Sequence, residues 1–390
     1  MNSTKIEPSL IRDVRKYGKF DVSGCFNCGS CTLTCSLSDD HASFPRRVIR
    51  QVHFGMKEPL ENSLEPWLCY YCGDCAKACP RQAEPAEAMM TLRRYLTTLY
   101  DRTGLASKLY ASTGWRIGAN LAAGFLVILL ALFYHLHFAK LNLTDFAAMP
   151  MGMEHMFNII IYFTVAVYLI PAVLLFMNAL TMHRLTMQNG NMKIPSSLYF
   201  SEVKTLFLHG VTQKRFTDCA DKASKTRRTK HLVLFSGFIL ISLLVVFFLK
   251  WFQTDKIYPF YHPQRWLGYL AAAALIYGSF EILTGRIGKR EQMHRFSDPG
   301  DWMLPLMILL TSLSGIAVHI CRYMEFPLAA HYSYLIHMVI VTPLLVIEIP
   351  FGKLSHILYR PLAIYFQAVK EKALKQQIPG EEIPSEVEAT

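Results

Sequence analysis

The 390-residue sequence is 52% hydrophobic and 18% charged with a mean hydropathy of +0.24, which excludes an all-soluble globular chain and favours a membrane class. Its net charge of +11 fits either nucleic acid binding or basic loops flanking a membrane, and the positions of Lys and Arg decide between the two. The opening MNSTKIEPSLIRDVRK is polar and basic, with neither the apolar stretch nor the cleavage site of a secretory signal, so the N-terminal segment is expected in the cytoplasm.

Two cysteine runs come first along the chain. CFNCGSCTLTC places Cys25, Cys28, Cys31 and Cys35 at C-x2-C-x2-C-x3-C spacing, and CYYCGDCAKACP repeats it with Cys69, Cys72, Cys75 and Cys79. In a reducing compartment eight clustered cysteines point to metal ligation rather than disulfides. Zinc needs four ligands in pairwise spacing and gives no reason for the third and fourth cysteines to recur. The run suits a 4Fe-4S cluster, in which three thiolates wrap one cube face and the fourth reaches the other cluster. The expected sets are therefore Cys25, Cys28, Cys31 and Cys79 for cluster 1, and Cys69, Cys72, Cys75 and Cys35 for cluster 2. Iron is the metal, held through these cysteines, and Cys219 and Cys321 read as structural thiols.

Residues 88–104 follow as an amphipathic helix, and residues 1–105 are expected to form a cytoplasmic two-cluster ferredoxin-like domain. Six apolar segments of bilayer length then run about 117–138, 156–181, 231–252, 266–285, 303–321 and 333–356, within a transmembrane domain over 106–375. With the N-terminus inside, the inner loops carry 19 Lys plus Arg and the outer loops 4, which obeys the positive-inside rule and accounts for the net charge without nucleic acid. The expected fold class is all-α, a helical ferredoxin domain followed by a six-helix bundle, multi-pass in the cytoplasmic (inner) membrane with both termini in the cytoplasm. Residues 196–216 read as a helix lying on the inner membrane surface or against a partner, and the acidic tail 376–390 as disordered. No glycine-rich dinucleotide fingerprint, P-loop or nucleophile elbow is present.

Haem b in a helical bundle takes one axial nitrogen from each of two facing helices at the same depth. Depth pairs His231 with His356 on the inner side, and His337 with His319 or His155 on the outer side. His135, His137, His183 and His262 read as interfacial, and His41, His53, His209 and His294 as loop histidines. Glu348 and Glu281 lie inside apolar segments, where an unpaired charge is expensive. Each is expected either to relay protons to a quinone or to pair with a loop arginine such as Arg286 or Arg290.

The doubled cysteine runs resemble the iron–sulfur C subunit of heterodisulfide reductase. From about residue 155, LIHMVIVTPLLVIEIPFGKLSHILYRP (335–361) and HLVLFSGFILISLL (231–244) resemble haem-binding helices of the gamma subunit of respiratory nitrate reductase and of the related membrane E subunit of heterodisulfide reductase. A fusion of the two halves is similar to the C-type chains of the quinone-interacting membrane-bound oxidoreductase complex of sulfate-reducing bacteria. That resemblance implies a haem b pair, a menaquinone pool, flavin and iron–sulfur partner subunits on the cytoplasmic side, and adenylylsulfate reductase as acceptor. Two positions depart from the nitrate reductase pattern. Ile241 stands where a second histidine is found, and His337 and His356 are 19 residues apart, about 100° out of phase unless Pro343 or Pro350 shifts the register.

The expected function is a membrane electron-transfer subunit, the quinone-reactive part of a multisubunit oxidoreductase. It holds two [4Fe-4S] clusters and one or two haem b, and passes electrons between menaquinol and a cytoplasmic flavin/iron–sulfur complex in dissimilatory sulfate reduction. The alternatives are a heterodisulfide-reductase-like or sulfite-reduction-associated membrane subunit, and a membrane iron–sulfur sensor or anchor without electron throughput. Partners are the lipid bilayer, the menaquinone pool and the other subunits, with no nucleic acid.

Overall fold

The computed structural model describes residues 5–21, 24–38, 43–139, 154–188, 194–214 and 222–377. Cys219, His41 and positions 378–390 of the acidic tail lie outside that set. The described residues are helical with no strand, and the one extended pairing is an isolated bridge between Ile6 and Met56. They divide into two compact units, Met1–Arg102 with Met177–Ala220 and His356–Thr390, and Thr103–Phe176 with Asp221–Ser355.

The first unit is built around helix Pro85–Tyr100. Pro85 suits the first turn because its missing N–H would have no helical partner there. Ala86, Met89, Leu92, Leu96 and Tyr100 recur every three or four residues, and each is at most 2% exposed. Helices Leu10–Arg15 and Glu65–Leu68 pack on this stripe, burying Leu10, Val14 and Trp67. Full burial of each such aliphatic side chain contributes about 1.5–3 kcal/mol.

The terminal helix His356–Gln377 belongs to this unit, although from sequence it reads as part of the membrane portion. Tyr359, Ala363, Val369 and Ala373 face inward. The Tyr359 ring lies 5.2 Å from Trp67 and 5.4 Å from Tyr100, and Trp67 Nε1 donates to the Tyr100 hydroxyl at 3.3 Å. Within 196–216, helices Ser196–Ser201 and Val203–Thr212 pack on the terminal helix, leaving Phe200 and Phe207 exposed.

Among the described residues six helices are long and apolar enough to cross a membrane: Thr113–His137, Phe157–Met187, Lys225–Phe252, Pro263–Ile287, Pro299–Tyr323 and Pro327–Phe351. They are called the first to sixth spans in that order. Leu121 (69% exposed), Phe247 (70%) and Leu270 (61%) stand on their outer faces, an apolar surface that lipid would cover and water would penalise. Spans three and four approach closely, because a side chain at Gly278 would meet Leu234 and one at Gly237 would meet Ala274.

The sixth span differs from its expected limits of 333–356. It starts six residues earlier, at Pro327, and stops at Phe351. Gly352 leaves the helix with φ −103° and ψ −162°, a three-residue 3-10 turn follows, and His356 then opens the terminal helix. Between Pro343 and Pro350 the backbone takes a π-helical turn, Leu344–Glu348, which inserts a register shift into the span.

Candidate functional site

The two cysteine loops fold alike. Asn27 (φ 55°) and Gly29 (φ 91°) bracket Cys28, and Tyr71 (φ 58°) and Gly73 (φ 88°) bracket Cys72, so each loop reverses twice through the left-handed region. Space around Gly29 is open, so its backbone angle rather than crowding selects glycine. Short helices Ser30–Leu33 and Asp74–Lys77 follow, pack against each other, and carry the third cysteine of each run.

The cysteines line two cavities. Cys25, Cys28 and Cys31 surround one with Cys79, in the company of Arg46 and Arg81. Cys69, Cys72 and Cys75 surround the other with Cys35, beside Phe44, Tyr70 and Met89. Each cavity thus draws three thiols from one run and the fourth from the other. Among the described residues no three of His, Cys, Asp or Glu converge as a single metal ion requires. Four thiols spread around a cavity fit a polynuclear cluster, whose iron atoms occupy separate corners.

The surroundings differ in solvent access. Cys28 is exposed and accepts or donates a 3.3 Å hydrogen bond with Ser30, whose hydroxyl lowers the thiol's pKa. Cys69 and Cys75 are buried. Burial pushes the Cys35 thiol up to about 12 and raises Cys75 and Cys69 also, with Arg93 partly opposing it at Cys69. Backbone N–H groups of Tyr71 and Ala83 donate to Cys69 Sγ at 3.3 Å and Cys79 Sγ at 3.4 Å. Hydrogen bonds of this kind stabilise the anionic sulfur of a bound cluster.

Two guanidinium groups stand beside the second cavity, and no motif in the sequence marks either. Arg93 donates from Nε to the Pro66 carbonyl at 2.6 Å and from Nη2 to the carbonyls of Trp67 and Cys69. Arg360 lies over the Tyr70 ring at 4.4 Å. Desolvation, then the charge of Arg360, lowers the Arg93 pKa to about 10, so Arg93 remains cationic at neutral pH. Such charges favour an electron on the cluster.

All eight cysteines fall within a stretch, residues 24–84, that matches the 4Fe-4S dicluster domain family. Residues 24–84 are a dicluster domain. The N-terminal part of the chain is homologous to the C subunit of heterodisulfide reductase, and it is an iron–sulfur electron-transfer module. The second C-type iron–sulfur subunit of the CoB–CoM heterodisulfide reductase of Methanocaldococcus jannaschii is 27% identical over 122 residues, 29% of this chain and 64% of that protein. The C subunit of the H(2):CoB-CoM heterodisulfide,ferredoxin reductase of Methanothermobacter thermautotrophicus is 25% identical over 123 residues, 32% of this chain and 59% of the relative. The chain therefore spans less than two thirds of these relatives. Citrate utilization protein B of Escherichia coli is 27% identical over 329 residues, 79% of this chain and 83% of that protein, reaching past the dicluster domain into the spans. No solved structure matches.

In the second unit, a cavity of about 270 Å³ opens among the spans, with His319 and His337 both in its wall. His337 Nδ1 meets Ser314 Oγ at 2.9 Å, which leaves Nε2 for an iron ligand, and Gly315 makes room for its ring. His319 Nε2 is 2.7 Å from the Tyr269 hydroxyl, a bond that it would exchange to ligate through that atom. Arg265 and Arg322 also line the cavity, while Leu275, Ile308, Leu344 and Leu345 make an apolar wall. Two histidines, two cations and an apolar slot suit a haem with its two carboxylates, or a quinone head group.

His155 lies in the turn Glu154–Met156, His231 in the third span within the second unit, and His356 at the start of the terminal helix in the first. His262 caps the fourth span by accepting from Gln264 N at 3.2 Å and stacks on Tyr258 at 3.9 Å between centroids. Glu281 and Glu348 have other partners than the loop arginines expected for them. Glu281 takes Lys230, Arg286 goes to Asp301 at 3.8 Å, and Glu348 faces Arg116 and Asn120 from the first span.

Proposed function

We propose that this chain is the membrane subunit of an oxidoreductase, conducting electrons between a quinol in the bilayer and a cytoplasmic redox complex through its dicluster domain. The observation that carries the reading is the union, in one chain, of two four-cysteine cavities and six bilayer-length helices. Quinol gives up two electrons and two protons, whereas haems and 4Fe-4S clusters take one electron each. The chain therefore divides the pair.

The cavity holding His319 and His337 supports a haem b site, with Arg265 and Arg322 toward the propionates. His155 is the other candidate partner for His337. When bound, the haem supplies a one-electron carrier at the level of the spans. The protein's part is to orient the macrocycle, keep water from it, and hold the second ring nitrogen of His337 in a hydrogen bond. The Lys and Arg excess of 19 to 4 supports a cytoplasmic dicluster domain and C-terminus in the inner membrane.

The partners are flavin and iron–sulfur subunits on that side, the donor is the menaquinone pool, and the terminal acceptor is adenylylsulfate reductase. The homology to the C subunit of heterodisulfide reductase supports a multisubunit setting. The long match to citrate utilization protein B favours a second reading, in which the same conductor serves an oxidoreductase acting in tricarboxylate use.

The test is an optical and EPR spectrum of the purified protein before and after a menaquinol analogue. A b-type absorption reduced by the quinol, followed by cluster reduction, is the expected result. Clusters without a reducible haem would leave only an iron–sulfur anchor or sensor. Which catalytic subunits co-purify decides between the two acceptors.

A further inference from the structure

A carboxylate deep in the second unit has a housing made for it. Glu348 ends the π-helical turn of the sixth span and is 0% exposed. The next glycine, Gly352, leaves the space that its Oε2 occupies, since any side chain there would overlap that oxygen. Opposite stands Arg116 of the first span, 2% exposed, lying over the Tyr110 ring at 5.0 Å. Its Nη1 fills the place where Gly300, at the start of the fifth span, lacks a side chain. Three spans are thus shaped around one acid and one base.

The pair is nevertheless loosely joined. Arg116 Nε and Glu348 Oε1 are 4.0 Å apart, beyond direct hydrogen bonding, and Asn120 Nδ2 reaches the same oxygen at only 3.5 Å. Glu348 Oε2, Arg116 Nε and Nη2, and Asn120 Oδ1 are all buried without a hydrogen-bond partner. A purely structural ion pair saturates itself, because each unsatisfied buried polar atom costs about 1–3 kcal/mol. These four atoms leave the pair with unused hydrogen-bonding capacity, which a proton bound at the carboxylate would draw on.

The remaining charges nearby are committed elsewhere. Asp301 on the fifth span is held by Lys353 at 2.5 Å and Arg286 at 3.8 Å. His294 feels those same two cations, and the backbone amide of Lys353 faces the Glu348 carboxylate. Leu344 and Leu345, on the same π-helical turn as Glu348, line the cavity that contains His319 and His337. One segment of chain therefore touches the candidate redox cavity and the buried acid.

We propose that Glu348 is a redox-linked proton site, taking up one proton when the membrane unit gains one electron and releasing it when that electron leaves for the dicluster domain. Arg116 and Asn120 are its positioning residues. The inference rests on the electron route proposed above, with quinol as the reductant. Electron and proton enter and leave together, so the low-dielectric interior carries no added charge, which would be costly there.

The experiment is redox-difference infrared spectroscopy on the full-length protein in detergent, with optical spectra recorded in parallel. Reduction of the wild type should bring up a protonated-carboxyl carbonyl band that shifts in deuterated water and is lost in Glu348→Gln. The optical midpoint should follow pH with one proton per electron in the wild type and lose that dependence in the variant. Because Glu348→Gln leaves Arg116 uncompensated, the double variant Arg116→Gln/Glu348→Gln keeps the site neutral, and it should behave the same with intact cluster spectra. A reducible haem with no carboxyl band, or a band that survives Glu348→Gln, would overturn the proton site alone. A wild type with no reducible haem would overturn the electron route and the proton site together.

Discussion

Arg93 and Cys69 are joined by a hydrogen bond from the guanidinium Nη2 to the cysteine's backbone carbonyl, which sets a half-buried cation against one cysteine of the second set. The same guanidinium fixes Pro66 and Trp67, so it clamps the stretch of chain leading into the loop. Replacing it removes a charge from a site where solvent screens little. Arg93→Gln should lower the midpoint of the cluster held by Cys69, Cys72, Cys75 and Cys35 by tens of millivolts, about 59 mV being a tenfold change for one electron. The other cluster should move far less, and Arg93→Lys should recover part of the shift. EPR-monitored titration reads both clusters in one experiment, and equal shifts at both would defeat the assignment.

The crossed sharing of cysteines makes a second prediction. Cys35 lines the cavity of the second run and Cys79 that of the first. Cys35→Ala should therefore disturb the cluster of Cys69, Cys72 and Cys75, and Cys79→Ala the cluster of Cys25, Cys28 and Cys31. Iron content should fall by up to about half in either case, since each cluster supplies four of eight irons. EPR of the two variants should show complementary losses, and loss of the signal belonging to the variant's own run would refute the pairing.

Legibility in the sequence followed the range of the interactions. The cysteine spacing is a local constraint, so both runs stood out, and spans were visible because about 20 apolar residues carry the signal whatever their neighbours. The end of the sixth span was not, because it depends on Gly352 lying against Glu348. Partner choice was hidden for the same reason. Asn120 and Glu348 are 228 positions apart, and only the packed spans bring them together. Arg93 looks in sequence like one more basic residue of an amphipathic helix, yet desolvation and its three carbonyl contacts make it part of the cluster's surroundings.

Leu92 tests how far the helix Pro85–Tyr100 holds the dicluster domain in shape. It is 0% exposed at the middle of the buried stripe. Leu92→Ala removes the transfer term and leaves a cavity, which together cost about 2–5 kcal/mol. The denaturant midpoint for loss of cluster absorbance should drop accordingly, while cluster EPR in native buffer stays that of the wild type. An unchanged midpoint would mean that the helix contributes little to this unit.

His294 provides a pH dependence outside the spans. Burial first, then the charges of Arg286, Lys353, Arg227 and Arg290, holds its pKa down to about 4 from an ordinary 6.5. Its ring packs against Gly285 with Nδ1 buried and without a hydrogen-bond partner, so the folded state keeps the imidazole neutral. The unfolded chain takes up a proton near pH 6.5 that the folded chain refuses until near pH 4. Stability from this residue is thus fully present above 6.5, declines as pH falls through that window, and is constant below about 4. The thermal midpoint of the detergent-solubilised protein should fall between pH of about 7 and about 5, and His294→Asn should show a shallower fall over the same interval. Identical slopes for the two proteins would show that His294 is not held neutral by the fold.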